Sequence, residues 1–519
     1  MAGSEFERLA DTSKDTSKFL LACECHGTKN QDLTGDTWSK PAPRHGKDKV
    51  TPHFAVRMLD SVVDAPISSV RVGNEEFELR GGANSSFHGH YNRDDGMGDV
   101  ESISKKAIEQ NIAFASFTPH NTNESRNGVP KNDPRYEDQK GKKIIVEDPQ
   151  AYFDLIKRTG EISKDKKVIL LYGQETDTIG KNCDPKTPAD NHTIWLQTPI
   201  FFICDNDGNV RDYKVSRSLS GDTSNKVVHY KLGDPTPILN ALRNGEGFKR
   251  FILAHPRELS GKEPGVPEGI CPSDYNMLAF KSPLEWVRQY ARPYGRGIEI
   301  LRGMALTKEK ISWMDPNMMK LKPAFAYNDI GCHFAFTFGR DFHYGDPGGR
   351  PAGMAVLIPK GSEINQESIL DGLDKLHTVV STAWDELHAV TIANDKYVMG
   401  STINPANIDD LRFKVLIGGK IDRKANYHVK LWADTALGDE KTAALAQEKT
   451  VTGDDLLANE QAVSFENVEY KAKNGNAFVV EVERAVETYD GQIKVDAKAA
   501  TTTIWVESPD RLTPKTQSR

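Results

Sequence analysis

His88 and His90 flank a single glycine in SSFHGHYNRDDGMGD (residues 85–99), with Asp95 and Gly96 shortly beyond. His120 comes just after the apolar run IAFASF (112–117), His255 ends FILAH (251–255), and Asp341 and His343 follow FAFTF (334–338). Glu175 stands two residues after VILLYG (168–173), and His192 lies in DNHTIWL (190–196). Imidazole and carboxylate are ligands of zinc, manganese and iron, and this set is larger than one ion takes; it suits a cluster of two or three. Taken singly, each strand-end histidine reads as an ordinary hydrogen-bonded loop residue. Their recurrence wherever an apolar run stops is what points to a site.

The apolar runs, with IEILRG (298–303), are dense enough to be strands buried on both faces. Between them, DVESISKKAIEQN puts Val100, Ile103 and Ala107 at helical spacing behind Asp99, a fitting N-cap. This alternation is the rhythm of a parallel α/β domain, where strand C-termini open on one face and residues far apart in the chain converge. From about residue 388 the pattern changes. In YHVKLWAD, Tyr427, Val429 and Leu431 share one face while His428, Lys430 and Trp432 share the other, and DLRFKVLIGG, AFVVEVERAV and TTTIWVES continue the alternation, which predicts an antiparallel β-sandwich. The expected organisation is a partly disordered lead with lead-in strands over 1–78, an α/β domain over 79–385, a sandwich over 386–510 and a tail over 511–519. Residues 121–162 are long and polar for a strand-to-helix connection and read as a lid or rim that chooses substrates.

HGHYNRDDG (88–96), TPHN (118–121), GQE (173–175), LAHP (253–256) and GRDFH (339–343), in that order, resemble the successive motifs of the PHP (polymerase and histidinol phosphatase) superfamily. The trailing sandwich resembles a branch with a C-terminal Ig-like domain. The resemblance implies a distorted (βα)7 barrel holding two or three ions of Zn2+, Mn2+ or Fe2+. It further implies that His88, His90, Asp341 and a bridging Glu175 hold the first ion, that Glu175, His192 and His255 hold the second, and that Asp95, His120 and His343 hold the third. Pro119 stands where the family usually has an Asp; one orienter of His120 is thereby lost, and a weaker third site is expected.

Paired ions lower the pKa of bound water toward ~7 and bind phosphoryl oxygens, so the favoured activity is in-line hydrolysis of a phosphate mono- or diester by Glu175, Asp341 and His343 with their ions. Arg340 and Arg257 are the first candidates to clamp the phosphate, with Arg302 and Arg93 behind them. The same centre could act on a carbon-centred ester, lactone or amide, or the chain could be a metal-stabilised binding protein. Composition narrows the partners. A net charge of −7 over 519 residues with no dense Lys/Arg block gives no nucleic-acid footprint, and no apolar run is long enough to span a bilayer. The expected partner is a small, phosphorylated molecule, with an oligomer left open. The 6 cysteines form no CxxC pair, which argues against a disulfide scaffold. Gly3-Ser4-Glu5-Phe6 reads as a cloning scar, so a periplasmic or secreted location is slightly favoured if a signal peptide was removed, and a cytoplasmic one otherwise.

Overall fold

The structure is a computed structural model that describes residues 19–24, 53–58, 61–122, 131, 133–177, 192–205, 216–217, 226–231, 236–244, 250–254, 292–302, 319, 321–329, 331–348, 351–435, 443–470, 476–488 and 491–508. It is a mixed α/β chain in which antiparallel pairing predominates.

Six strands carry the candidate site: β1 (Phe114–Phe117), β2 (Ile169–Asp177), β3 (His192–Leu196), β4 (Arg250–Leu253), β5 (Gly295–Arg302) and β6 (Ala335–Gly339). They lie side by side in the order β6-β5-β4-β3-β2-β1. β1 and β2 are parallel, as are β4, β5 and β6, and their apolar runs are buried on both faces as parallel strands require. β3 departs from the expected parallel rhythm, being antiparallel to both neighbours. Its register sets His192 opposite Asp177, so the chain returns beside the strand it has just left, a pairing that needs no helical crossover.

The two edges of this sheet meet the same stretch of chain. Along residues 86–90, Ser86 N donates to Phe114 O (3.4 Å) and Gly89 O accepts from Thr118 N (2.7 Å) on the β1 side. On the β6 side, His88 O accepts from Asp341 N (3.1 Å) and His90 N donates to Phe342 O (3.0 Å). The His-x-His segment is thus held between the first and last strands.

The helix Val100–Glu109 begins at Asp99, whose side chain accepts from Ser102 N, and it buries Val100, Ile103 and Ala107. Those side chains share a core with Ile112, Ala115 and Phe117 of the β1 region and with Tyr152 and Leu155 of the helix Gln150–Ser163. Aspartate at the cap satisfies an otherwise orphaned N–H of the first turn.

A nine-stranded sheet backs this unit, running from Ala444–Thr452 through Asn426–Thr435, Asn476–Glu487, Ile493–Val506, Thr378–Ser381 and Gly353–Pro359 to Glu75–Ala83 and Ser69–Val72, with Thr402–Ile403 paired alongside Ile493–Val506. Strand alternation splits Gly353–Pro359 between two cores. Met354, Val356 and Ile358 join the core of the six-stranded sheet, and Ala355 and Leu357 pack with Val70, Phe77 and Val390 on the other side. A five-stranded antiparallel sheet that includes Phe413–Asp422 and His388–Ala393 lies beyond. Phe413, Val415 and Ile417 from it meet Tyr427, Val429 and Leu431 of the large sheet in a shared core, on the face that alternation predicts.

The division expected near residue 385 falls between Thr378–Ser381 and His388–Ala393, and the large sheet runs across it, with Ser381 opposite Ala499. Of the lead, Phe19–Glu24 pairs with His53–Met58, and Val62–Ala65 adds to the edge of Phe413–Asp422. No helix among the described residues is long and apolar enough to cross a membrane.

Candidate metal centre

His88 and His90 are two apart on an extended segment, so both imidazoles project to the same side, and both are fully buried. Asp341 comes two residues after β6 with φ 48°, a left-handed conformation that aspartate tolerates better than most residues and that is concentrated at functional sites. Glu175 lies toward the end of β2. Four ligand atoms converge there. His88 Nε2 is 3.2 Å from His90 Nε2, 3.1 Å from Glu175 Oε2 and 3.5 Å from Asp341 Oδ1. His90 Nε2 is 3.2 Å from Glu175 Oε2 and 3.1 Å from Asp341 Oδ1.

The opposite nitrogen of each ring is spoken for. His88 Nδ1 is 3.0 Å from Glu299 Oε1, and His90 Nδ1 is 2.8 Å from Asp94 Oδ2. With a proton on each Nδ1, the Nε2 lone pairs face inward, as in the carboxylate–histidine pairs that orient metal ligands. Asp94 does more: its carboxylate also accepts from the backbone N–H groups of Tyr91 (3.2 Å), Gly96 (3.2 Å) and His120 (3.1 Å), and so fixes the loop that carries Asp95. Glu299 reaches His88 across the end of β6 because Gly339 has no side chain; a Cβ there would fall on the Glu299 carboxylate.

Two more groups adjoin the first. His192 Nδ1 is 2.5 Å from Glu175 Oε1, and His120 Nδ1 is 3.5 Å from Glu175 Oε2. His343 Nε2 is 3.1 Å from Asp95 Oδ2, and His120 Nε2 is 3.9 Å from Asp95 Oδ1. The His90 ring is stacked between those of His120 and His343, with centroids 4.6 and 4.2 Å away. Three sets therefore have ligand atoms within 4.8 Å of one another: His88, His90 and Asp341; His120, Glu175 and His192; and His90, Asp95, His120 and His343. Asp95 Oδ1 and His120 Nδ1 are buried without a hydrogen-bond partner, as acceptors waiting for a cation would be.

The carboxylates also act on the charge of the rings. Burial alone would push the His88 imidazole down, but the carboxylates of Glu175, Asp341 and Glu299 outweigh it and raise its pKa from 6.5 to about 10. His90 is likewise raised against burial, chiefly by Asp94. Burial would raise the carboxyls of Glu175 and Asp341, but His192 and His88 around the former and His88 and His343 around the latter hold both well below the usual carboxylate range. Asp95 is also lowered despite burial, by His343 and His120.

Of the residues expected from the sequence, the structure brings together His88, His90, Asp95, His120, Glu175, His192, Asp341 and His343. His120 lies within reach of both Glu175 and Asp95, where the expectation gave it to the third ion with Asp95 and His343 and apart from Glu175. His255 and Arg257 lie outside the described residues, as does the Arg302 side chain. Arg340 is buried, and its Nη2 donates to the carbonyls of Asp346 (3.2 Å) and Gly348 (2.8 Å), bracing the loop after β6. Burial pushes its pKa down to about 10 against the pull of Asp346 and Asp341. Arg93 pairs with Asp148 at 2.8 Å. Three residues escaped the reading of the sequence: Asp94, Glu299 and Arg135, whose Nη1 is 3.8 Å from Asp95 Oδ2. Glu299 had a visible signal, a lone charge inside the apolar run IEILRG.

No family model matches this chain, and no curated protein matches it. Among solved structures, it overlaps a candidate metal-dependent phosphoesterase from Bifidobacterium adolescentis at 11% identity and a TM-score of 0.27, over 56% of this chain and 94% of that one. It also overlaps histidinol phosphate phosphatase from Lactococcus lactis, solved with zinc, L-histidinol and phosphate, at 14% identity and a TM-score of 0.24, over 56% of this chain and 92% of that one. Overlaps this slight decide neither fold nor chemistry; the arrangement of the side chains has to do so.

Proposed function

We propose that the chain is a metal-dependent hydrolase acting on phosphate esters, that its site-bearing sheet is a distorted seven-stranded barrel completed by residues 86–90, and that an Ig-like sandwich lies behind it. What supports this most is that His88 Nε2 and His90 Nε2 lie 3.1–3.5 Å from each other and from both Glu175 Oε2 and Asp341 Oδ1. With Glu299 and Asp94 holding the far nitrogens, this places lone pairs against lone pairs in a buried space, where electrostatic repulsion is little screened. Protons or metal ions must lie among them, and the donor set is that of zinc, manganese or iron.

Ions held there would supply an activated water at neutral pH and offset charge on a phosphoryl oxygen. The chain's own part is geometric. Glu175, in reach of His88, His90, His120 and His192, holds two ligand groups at a fixed separation. In hydrolysis a water oxygen joins phosphorus as the bond to the leaving oxygen breaks, the water gives up a proton and the leaving oxygen gains one. His343 Nε2, paired with Asp95, is placed to hold that second proton wherever the third ligand group lacks its ion.

The test is elemental analysis of the protein purified without chelator, beside a panel of aryl phosphates, aryl esters and lactones with and without manganese. At least two equivalents of metal and hydrolysis of the phosphates are expected, with loss of at least one equivalent in the His88→Ala/His90→Ala double variant. Equal metal content in the two proteins would sink the metal centre, and turnover of only the esters or lactones would replace phosphorus by carbon as the electrophile.

A further inference from the structure

Arg135 and Tyr344 stand together at the Asp95 end of the cluster. Arg135 is near the start of the helix Pro134–Gln139, within the long connection from β1 to β2. Asp133 grips its guanidinium at Nε (3.1 Å) and Nη2 (3.0 Å), which fixes the plane of the group and aims the remaining Nη1. That nitrogen donates to the Asp95 carbonyl at 3.4 Å and lies 3.8 Å from Oδ2 of the same residue.

Tyr344 directly follows His343. Its ring centroid is 5.1 Å from Arg135 Cζ, its hydroxyl donates to Asp133 Oδ2 at 3.4 Å, and it is 45% exposed, a rare degree of exposure among the large apolar side chains described. Asp133 and Arg135, themselves paired, thus fix the ring from the start of the helix Pro134–Gln139. The helix is in turn sewn to the metal loop. Gln139 Nε2 donates to Gly96 O (2.8 Å), and Asp138 Oδ2 accepts from Gly98 N (2.9 Å), so the pair keeps its distance from Asp95. An aromatic ring held exposed and oriented beside a ligand residue and an aimed guanidinium does little for the core. It is well made to receive a flat group.

We propose that Arg135 and Tyr344 form the leaving-group subsite: Arg135 Nη1 takes an oxygen of the phosphoryl group, Tyr344 stacks on a planar leaving group beside it, and the substrates are aryl or heteroaryl phosphates rather than alkyl ones. This deepens the phosphoesterase reading and rests on it for the identity of the anion.

Phenylphosphonate and methylphosphonate, whose carbon–phosphorus bonds the reaction does not cleave, separate binding from turnover. Calorimetric titration into the manganese-supplemented protein should show the phenyl compound bound on the order of tenfold more tightly, the factor that one stacked ring supports. Tyr344→Phe should keep that preference, Tyr344→Leu should remove most of it, and Arg135→Gln should weaken both ligands together. Equal affinities in the unaltered protein, binding of neither phosphonate, or a preference that survives Tyr344→Leu would overturn the subsite. Phosphate-ester hydrolysis with unselective phosphonate binding would leave the phosphoesterase standing without the subsite. Selective binding through Tyr344 with no hydrolysis of any phosphate ester would do the reverse.

Discussion

Glu175 and Asp95 are both buried carboxylates, yet the structure gives them unequal work. Glu175 touches imidazoles of two ligand groups, while Asp95 faces His343 and His120 with one oxygen lacking a hydrogen-bond partner. Glu175→Gln should abolish hydrolysis. Asp95→Asn should leave a residual rate that climbs with manganese, since excess metal refills a weakened site by mass action; rates measured across a manganese series decide it, and equal inactivity of both variants at every concentration would reject the division of labour. Asp94 and Glu299 act through the histidines they hold. Asp94→Asn should lower metal affinity about 10–100-fold, as removal of a ligand's orienting partner generally does, and Glu299→Gln should fall in the same range; competition with a chromogenic chelator reads both. Gly339→Ala tests the Glu299 placement from the other side. Its Cβ would meet the carboxylate, and overpacking of this kind costs about 1–3 kcal/mol, seen as a lower Tm together with weakened metal binding.

The lead is tied to the C-terminal sheets by a histidine unconnected with metal. His388, on the strand His388–Ala393, donates from Nδ1 to Trp384 O (3.1 Å), accepts the Ile67 N–H at Nε2 (3.1 Å) and stacks on Trp384 with centroids 5.0 Å apart. Burial holds its pKa below 6.5, opposed by the Trp384 carbonyl and more weakly by Asp385 and Asp64. Its folded-state pKa is thus depressed. Below pH 6.5 the unfolded chain takes up a proton that the folded one resists, so this contribution to stability is complete above 6.5 and is lost as pH falls toward the folded value. Between pH 7.5 and 5.5 the Tm of the unaltered protein should fall more than that of His388→Gln, and parallel curves would remove His388 from the account. The helix Pro134–Gln139 belongs to the same order of organisation: too short to stand alone, it takes its place from bonds to Gly96 and Gly98 in the loop after His90.

One sheet joins described strands from both sides of the expected division. Val380 and Ser381, before the expected division, pair with Ala500 and Ala499 near the C-terminus, and Val479 and Ala500 lie in the core beneath the site-bearing strands. A fragment ending at residue 385 would expose that core and leave Thr378–Ser381 as a bare edge. It should be insoluble or bind hydrophobic dye, and co-expression with residues 386–519 should restore a folded, metal-binding complex. A soluble fragment with a cooperative unfolding transition and full metal content would show instead that the division near 385 is a true domain boundary.

Local order along the chain was enough for several features. Asp99 followed by Val100, Ile103 and Ala107 encodes a capped amphipathic helix, and Tyr427, Val429 and Leu431 encode a half-buried strand, because cap geometry and side-chain periodicity depend only on near neighbours. Ligand-type residues at the ends of apolar runs were legible for the same reason. Tertiary structure decided which of them share a space. His88 and Glu299 are 211 residues apart, and their contact depends on the sheet edges meeting at residues 86–90 and on Gly339 leaving room. Between Asp94 and Asp95, adjacent and chemically alike, only the fold of the loop assigns one to His90 and the other to His343. The reversal of β3, the turn of Arg340 toward loop carbonyls and the approach of Arg135 to Asp95 have the same origin. Each is fixed by packing between segments whose local sequence is compatible with more than one partner, and the choice is made by the close-packed whole.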